Sequence, residues 1–395
     1  MQSEEVATFQ LRLRDGKVRQ GPVLGLSERG LDLGLVGGKR AIAPAELLDF
    51  QGPAKLHVDG KLALLRLHSG LELRARILGG DEDGDKIQIR GPVVGARTLP
   101  LDSVAEILVP REGRLPEARQ LAVSKEDRDK ERIFRRAPLG LDLIKGFLFR
   151  IGEKGVHFAP WHDEDKPQVY PWSELAALVI PPPEAKAKPA SGVEWVLLTR
   201  DGSLWRGKPT GMAKGSWLLE TAIGSVGIPA ESIVSGHVQS PGTRTWLSDL
   251  TPTKVVEHGL VEGESQWSDL FGFKNRRNSV GGPLQVDGST WTQGIGAHSY
   301  SRLEFAVPEG RTRFLTQVGI DDSALSTEPS GNAAFRVLLD GKMVAEIPSL
   351  RGGQGLRTFP AIQVRAGQVL ALELDFADHI YTGDRGNWVG AVFVP

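Results

Sequence analysis

The side chains best equipped for chemistry gather in the last third of this 395-residue chain. His298 offers a donor and an acceptor on one ring, so it can address a ligand hydroxyl or serve as a satisfied structural histidine. Trp291 and Trp388 can lay an indole face against the C–H side of a sugar ring, or pack between two sheets. Asp384, Arg385 and Asn387 follow one another on a short polar stretch, 381–388, suited to hydroxyl recognition or to plain solvation. Asp321 and Asp322 are adjacent carboxylates that would suit a structural calcium ion, a hard cation needing several oxygen ligands. The same pair also reads as a turn closed by an Asx-type hydrogen bond.

Other acidic or histidine-bearing clusters point to less. Trp161-His162-Asp163-Glu164-Asp165 lacks the spacing that puts two metal ligands on one face and reads as an exposed hairpin tip. Asp81-Glu82-Asp83-Gly84-Asp85 begins like a calcium loop, but Pro92 stands where the closing glutamate belongs. Neither a nucleophile elbow nor a P-loop is present, and there is no cysteine for thiol catalysis or Cys-type zinc binding. The chain therefore reads as non-enzymatic.

Short strands must position these residues. Glycine (48) and proline (25) punctuate the sequence, and long helical periodicity is scarce, which is the all-β signature. Over the first 240 residues a pattern repeats. Two alternating apolar runs flank Asp15-Gly16, Ser69-Gly70 and Asp201-Gly202, each a hairpin signal because glycine tolerates positive φ. A proline then precedes a closing strand: Pro44, Pro100, Pro171 and Pro229, with an apolar residue (Leu48, Val104, Leu175, Ile233) four positions later. Four units follow, at 6–52, 60–110, 139–182 and 193–240; in the third, Ile144-Lys145-Gly146 stands in for the turn. They are similar in pattern to SH3-like or Sm-like small five-stranded β-barrels. The charged stretch 114–136 is expected to be a helical linker, and the Pro-rich 183–192 a stiff extended one.

The region 242–395 changes texture. Gly294-Ile295-Gly296-Ala297-His298, then Val318-Gly319-Ile320-Asp321-Asp322, then Asn387-Trp388 near the end, resemble the NPCBM family of carbohydrate-binding modules. The resemblance covers about 145 residues and implies a galactose-binding-like jelly-roll β-sandwich. It also implies a shallow sugar site on loops at one end, with galactose-like ligands. The family usually places an acidic residue before its final tryptophan, where this chain has Asn387, a departure that bears on sugar preference.

The expected protein is thus all-β, with tandem small five-stranded barrels ahead of a jelly-roll sandwich. Its expected partner is a glycan, with envelope proteins as further partners. The alternative is a scaffold protein whose sandwich holds another protein. A net charge of −1 argues against nucleic acid. No run approaches the roughly 18 apolar residues of a membrane helix, so membrane insertion is not expected. An extracytoplasmic location, periplasm or cell surface, is expected if an upstream signal peptide has been removed.

Overall fold

A computed structural model describes residues 7–124, 127–164, 166–183, 192–259, 270–378 and 382–395. Asp165, Tyr381 and nearly all of the Pro-rich stretch 183–192 fall outside them. The chain forms two compact units. One comprises Met1–Lys55, Gly192–Leu197 and Ile233–Pro395; the other comprises Leu56–Ser191 and Leu198–Ser232.

The hairpin signals fold as their chemistry requires. At Asp15-Gly16, Leu13 N–H donates to the Lys17 carbonyl at 2.8 Å, Gly16 N–H donates to Leu13 at 2.9 Å, and Gly16 holds φ +84°. The same two bonds recur at Ser69-Gly70 and Asp201-Gly202, with φ +85° and +84°. This is the three-residue hairpin whose left-handed position selects glycine. The proline signals hold too. Leu48, Val104, Leu175 and Ile233 are each fully buried in or at the start of a strand.

Strand order follows from these turns. Thr8–Leu13 lies between Val18–Ser27 and Leu47–Gln51, and Gly30–Leu35 and Gly38–Ile42 extend the sheet beyond Val18–Ser27. In the other compact unit, Ala63–Leu67 and Arg132–Ala137 occupy the same central place in their own five strands. Closing strands pair with closing strands. Leu47–Gln51 runs against Ile233–Gln239, with Phe50 opposite Gly236, and Val104–Leu108 runs against Leu175–Val179. Pairing satisfies edges that would otherwise expose backbone donors and acceptors.

Two expectations are corrected. Ile144-Lys145-Gly146 is not a turn but part of the strand Gly140–Ile151. The chain reverses at Pro138-Leu139, where Ala137 pairs with Gly140, because proline cannot donate to a ladder. Among the described residues the charged stretch 114–136 holds no α-helix, only 3-10 residues at Ala118–Leu121 and Asp127, and Arg132–Ala137 is a strand. Leu115, Leu121 and Val123 tie it to the buried cluster of Leu64, Leu108 and Phe134, so apolar contacts override the charge pattern.

The C-terminal region is a two-sheet sandwich. One sheet centres on Gly294–His298, Arg385–Val394 and Arg313–Ile320; the other runs Lys254–Glu257, Ser301–Ala306, Val369–Phe376, Asn332–Leu339, Lys342–Arg351. Leu303, Phe305, Phe314, Phe335, Leu372, Leu374, Trp388 and Phe393 fill the space between them. Arg385–Val394 is buried on both faces. Trp388, Ala391 and Phe393 point into the sandwich core, while Val392 and Val394 pack with Leu315, Trp246 and Leu48 of the first repeat.

Candidate functional site

The strand Gly294–His298 ends with His298 opposite Arg385, and the next two residues turn the corner into the second sheet. Ser299 fastens this corner. Its N–H donates to the Asp384 carbonyl at 3.2 Å and its hydroxyl to Asp384 Oδ2 at 2.8 Å. Asp384 Oδ1 accepts from Asn332 N–H at 2.8 Å, and Asn332 Nδ2 donates to Asp378 at 2.9 Å. The fold therefore brings His298, Asp384 and Arg385, up to 87 positions apart in sequence, together at one end of the sandwich.

Burial dominates the electrostatics there. The His298 ring is buried, so its pKa is pushed down to about 4, with Arg385 adding to the fall, and it is neutral at pH 7. Burial also pushes the Asp384 carboxyl up to about 6, against the donors from Asn332 and Ser299 and with help from Asp378. His298 Nδ1 lies 3.0 Å from the Ser299 carbonyl, and its ring meets Phe271 at 4.9 Å. These groups shape the corner from below.

Residues that sequence reasoning did not single out form its partly exposed surface. Tyr300 stacks on His258, ring centroids 4.6 Å apart, and Phe271 is half-buried alongside His298. Tyr300 also donates its hydroxyl to Glu373 at 3.0 Å, which fixes the ring. Arg351 lies 3.9 Å from Asp378. Flat aromatic rings and fixed polar groups thus share one end. The available signal was position: Tyr300 follows His298 by two residues, at a sheet-to-sheet corner.

The remaining candidates lie elsewhere. Trp388 is a core residue, 1% exposed, stacked on Phe359 at 6.1 Å and edge-on to Phe335 at 5.3 Å, so it offers no face to a ligand. Trp291 packs with Leu284, Val286 and Val389 in a satellite cluster. Asn387 is buried and donates to Asp321 at 2.6 Å. Asp321 also accepts from Asn278 Nδ2, Gln285 N–H and Ser323 N–H, at 2.8, 3.1 and 2.9 Å. Asp322 accepts from the N–H groups of Asp287 and Gly288, both at 2.8 Å. Both carboxylates therefore face N–H donors, whose positive ends repel a cation; the pair does not fit calcium and is the Asx-type turn instead.

Trp161 is partly exposed, with the Lys130 ammonium 4.7 Å from its ring. Among the described residues no three His, Asp or Glu side chains converge as metal ligands would.

Residues 243–394 match the NPCBM/NEW2 domain model. Over 235 residues the chain is 27% identical to a Renibacterium salmoninarum protein named as a candidate endo-alpha-N-acetylgalactosaminidase, covering 56% of this chain and 14% of that relative. The chain thus spans about one seventh of that relative's length. Among solved structures, it is similar to the CBM51-2 and INT domains of Clostridium perfringens ZmpB in complex with GlcNAc. There the identity is 23%, the coverage 46% of this chain and 38% of that one, and the TM-score 0.34. It is also similar to the CBM51 of Clostridium perfringens GH95 in complex with methyl-galactose, at 20% identity, 38% and 100% coverage, and a TM-score of 0.33. Residues 243–394 of this chain form an NPCBM/NEW2 domain.

Proposed function

We propose that this is a non-catalytic glycan-binding protein of a bacterial envelope, with the sugar taken at the sandwich end built around Ser299 and Tyr300. The observation that carries the reading is the convergence, within an NPCBM/NEW2 domain, of the Tyr300–His258 stack and Phe271 with the Asp384–Asn332–Asp378 network. A neutral sugar has one fairly apolar ring face and many hydroxyls, so it needs an aromatic surface beside fixed donors and acceptors. The corner supplies both. The sugars bound by the CBM51 structures, GlcNAc and methyl-galactose, define the first ligands to try.

The extracytoplasmic location belongs to this proposal, as do envelope proteins as further partners. Catalysis is expected to be absent: the purified chain should release no product from chromogenic glycosides, esters or phosphates.

The test uses the full chain, because Leu48 packs against Trp246 and the sandwich alone would lose that cover. Methyl-galactoside, glucose and N-acetylglucosamine are titrated by NMR. A shallow site should give a Kd on the order of 0.1–1 mM, or about 4–5 kcal/mol. Saturable shifts at Tyr300 and His258 are expected. If no sugar moves them at tens of millimolar, the sandwich is a protein-binding scaffold.

A further inference from the structure

The compact unit comprising Leu56–Ser191 and Leu198–Ser232 contains a cleft of about 730 Å³, within the roughly 300–1,000 Å³ usual for small-molecule sites. Its lining is mixed. Ala63, Ala75, Ile77, Val109, Pro110 and the indole of Trp172 make an apolar wall, and Asp59, Lys61, Arg76 and Glu112 carry charge around it.

Three features make it more than a gap between strands. The Trp172 ring is only half-buried yet held in place, its Nε1–H donating to the Gly152 carbonyl at 3.1 Å. A fixed, accessible indole is the surface that stacks on the C–H face of a sugar. Next, Lys61, Arg76 and Glu112 are exposed, and no side-chain hydrogen bond or ion pair among the described residues engages them. Finally, Glu112 is presented by a tight turn. Arg111 and Arg114 exchange backbone hydrogen bonds of 2.9 and 3.0 Å, and Glu112 and Gly113 hold φ of +52° and +78°. This is the type I′ arrangement, in which a first position other than Gly, Asn or Asp is uncommon. Gly60 backs the turn so closely that a Cβ there would lie 2.6 Å from Gly113 Cα.

We propose that this cleft is a second glycan site, taking a neutral sugar ring on Trp172 with its hydroxyls on Arg76, Lys61, Glu112 and Asp59. Charge balance selects the ligand class. Two cations and two carboxylates surround the cleft, so an anion such as a phosphate or a carboxylated sugar meets as much repulsion as attraction. Vicinal hydroxyls, which donate and accept, can use both signs at once. This cleft lies outside the NPCBM/NEW2 domain.

The experiment follows tryptophan indole N–H resonances of the full-length ¹⁵N-labelled chain, with Trp172 assigned through Trp172→Phe. Maltotriose, methyl-galactoside and N-acetylglucosamine are the neutral probes, and N-acetylneuraminic acid is the anionic one. The Trp172 resonance should shift saturably with at least one neutral probe. Arg76→Ala should weaken that response about five-fold or more, a loss fitting one polar contact. Unchanged resonances of the buried Trp205 and Trp217 would show that the variant is folded. Tyr300→Ala should leave the Trp172 response intact, which separates this site from the sandwich end. The proposal is overturned if Trp172 responds to no neutral probe at tens of millimolar. A stronger response to N-acetylneuraminic acid than to the neutral sugars, or a response that Arg76→Ala leaves untouched in a folded protein, also overturns it.

Discussion

The Arg12 guanidinium donates an Nη2–H to the Gly390 carbonyl at 2.8 Å, tying the first strand of the chain to the last across 378 positions. The same guanidinium pairs with buried Asp49, its Nε 3.1 Å from both carboxylate oxygens. Arg244 reinforces the junction by donating to the Pro44 carbonyl at 2.6 Å and to that of Leu47. The first repeat and the sandwich therefore share one buried seam.

Gly390 has φ +57°, and a Cβ there would run into the Arg12 guanidinium. Gly390→Ala should therefore lower stability by about 2 kcal/mol or more, from backbone strain and a displaced ion pair. Arg12→Ala should cost about 3 kcal/mol, since it strands a buried carboxylate. Urea denaturation measures both, and wild-type midpoints would show the seam to be unimportant.

His298 and Asp384 should give opposite pH dependences. His298 is lowered from 6.5 to about 4, so its contribution is complete above pH 6.5 and is lost as pH falls toward 4. Asp384 is raised from 3.8 to about 6, so the folded state is favoured below pH 3.8 and loses ground as pH rises to 6. Each effect is on the order of 3 kcal/mol at full extent, and they offset one another in the native protein. Asp384→Asn should become less stable on acidification from pH 6.5 to 4, and His298→Gln less stable as pH rises from 4 to 6. Denaturation curves for both variants that keep the native pH slope would sink this account.

Calcium should not stabilise the protein. Asp321 already accepts from four N–H donors, so adding the ion or a chelator should leave Tm unchanged. Asp321→Ala leaves those donors unsatisfied and should cost about 3 kcal/mol. Differential scanning calorimetry decides, and a calcium-dependent rise in Tm would contradict it.

Trp388→Ala should unfold the sandwich or destabilise it by about 3–5 kcal/mol, as removal of a large core side chain does. Any loss of glycan binding in that variant would therefore come with a lower Tm. Tyr300→Ala, at the accessible corner, should remove the glycan-dependent shifts while changing Tm far less. A folded, stable Trp388→Ala variant with lost binding would return Trp388 to the ligand surface.

The sequence by itself determined the three glycine hairpins and the buried positions that follow the prolines, though not the turn at Pro138-Leu139. Asp15-Gly16, Ser69-Gly70 and Asp201-Gly202 dictate their hairpins, since few residues but glycine hold φ near +84° without strain. The proline spacing placed Leu48, Val104, Leu175 and Ile233 correctly in the core, because a turn of fixed length leaves the next strand's inward position fixed. The spacing of Gly294–His298 and Val318–Asp322 likewise marked the sandwich. What tertiary structure decided was which face each residue shows. Trp388 and Tyr300 are both aromatic residues of sheet regions, but only tertiary packing puts Trp388 against Phe335 of the second sheet and Phe359 beside its own, and leaves Tyr300 at a corner. Asp321 reads as a cation ligand until Asn278 and Asn387, distant in sequence, turn their amides toward it. The pairing of Arg12 with Gly390 leaves no sequence trace, because a long-range contact is chosen by the whole packed core rather than by the residues beside it.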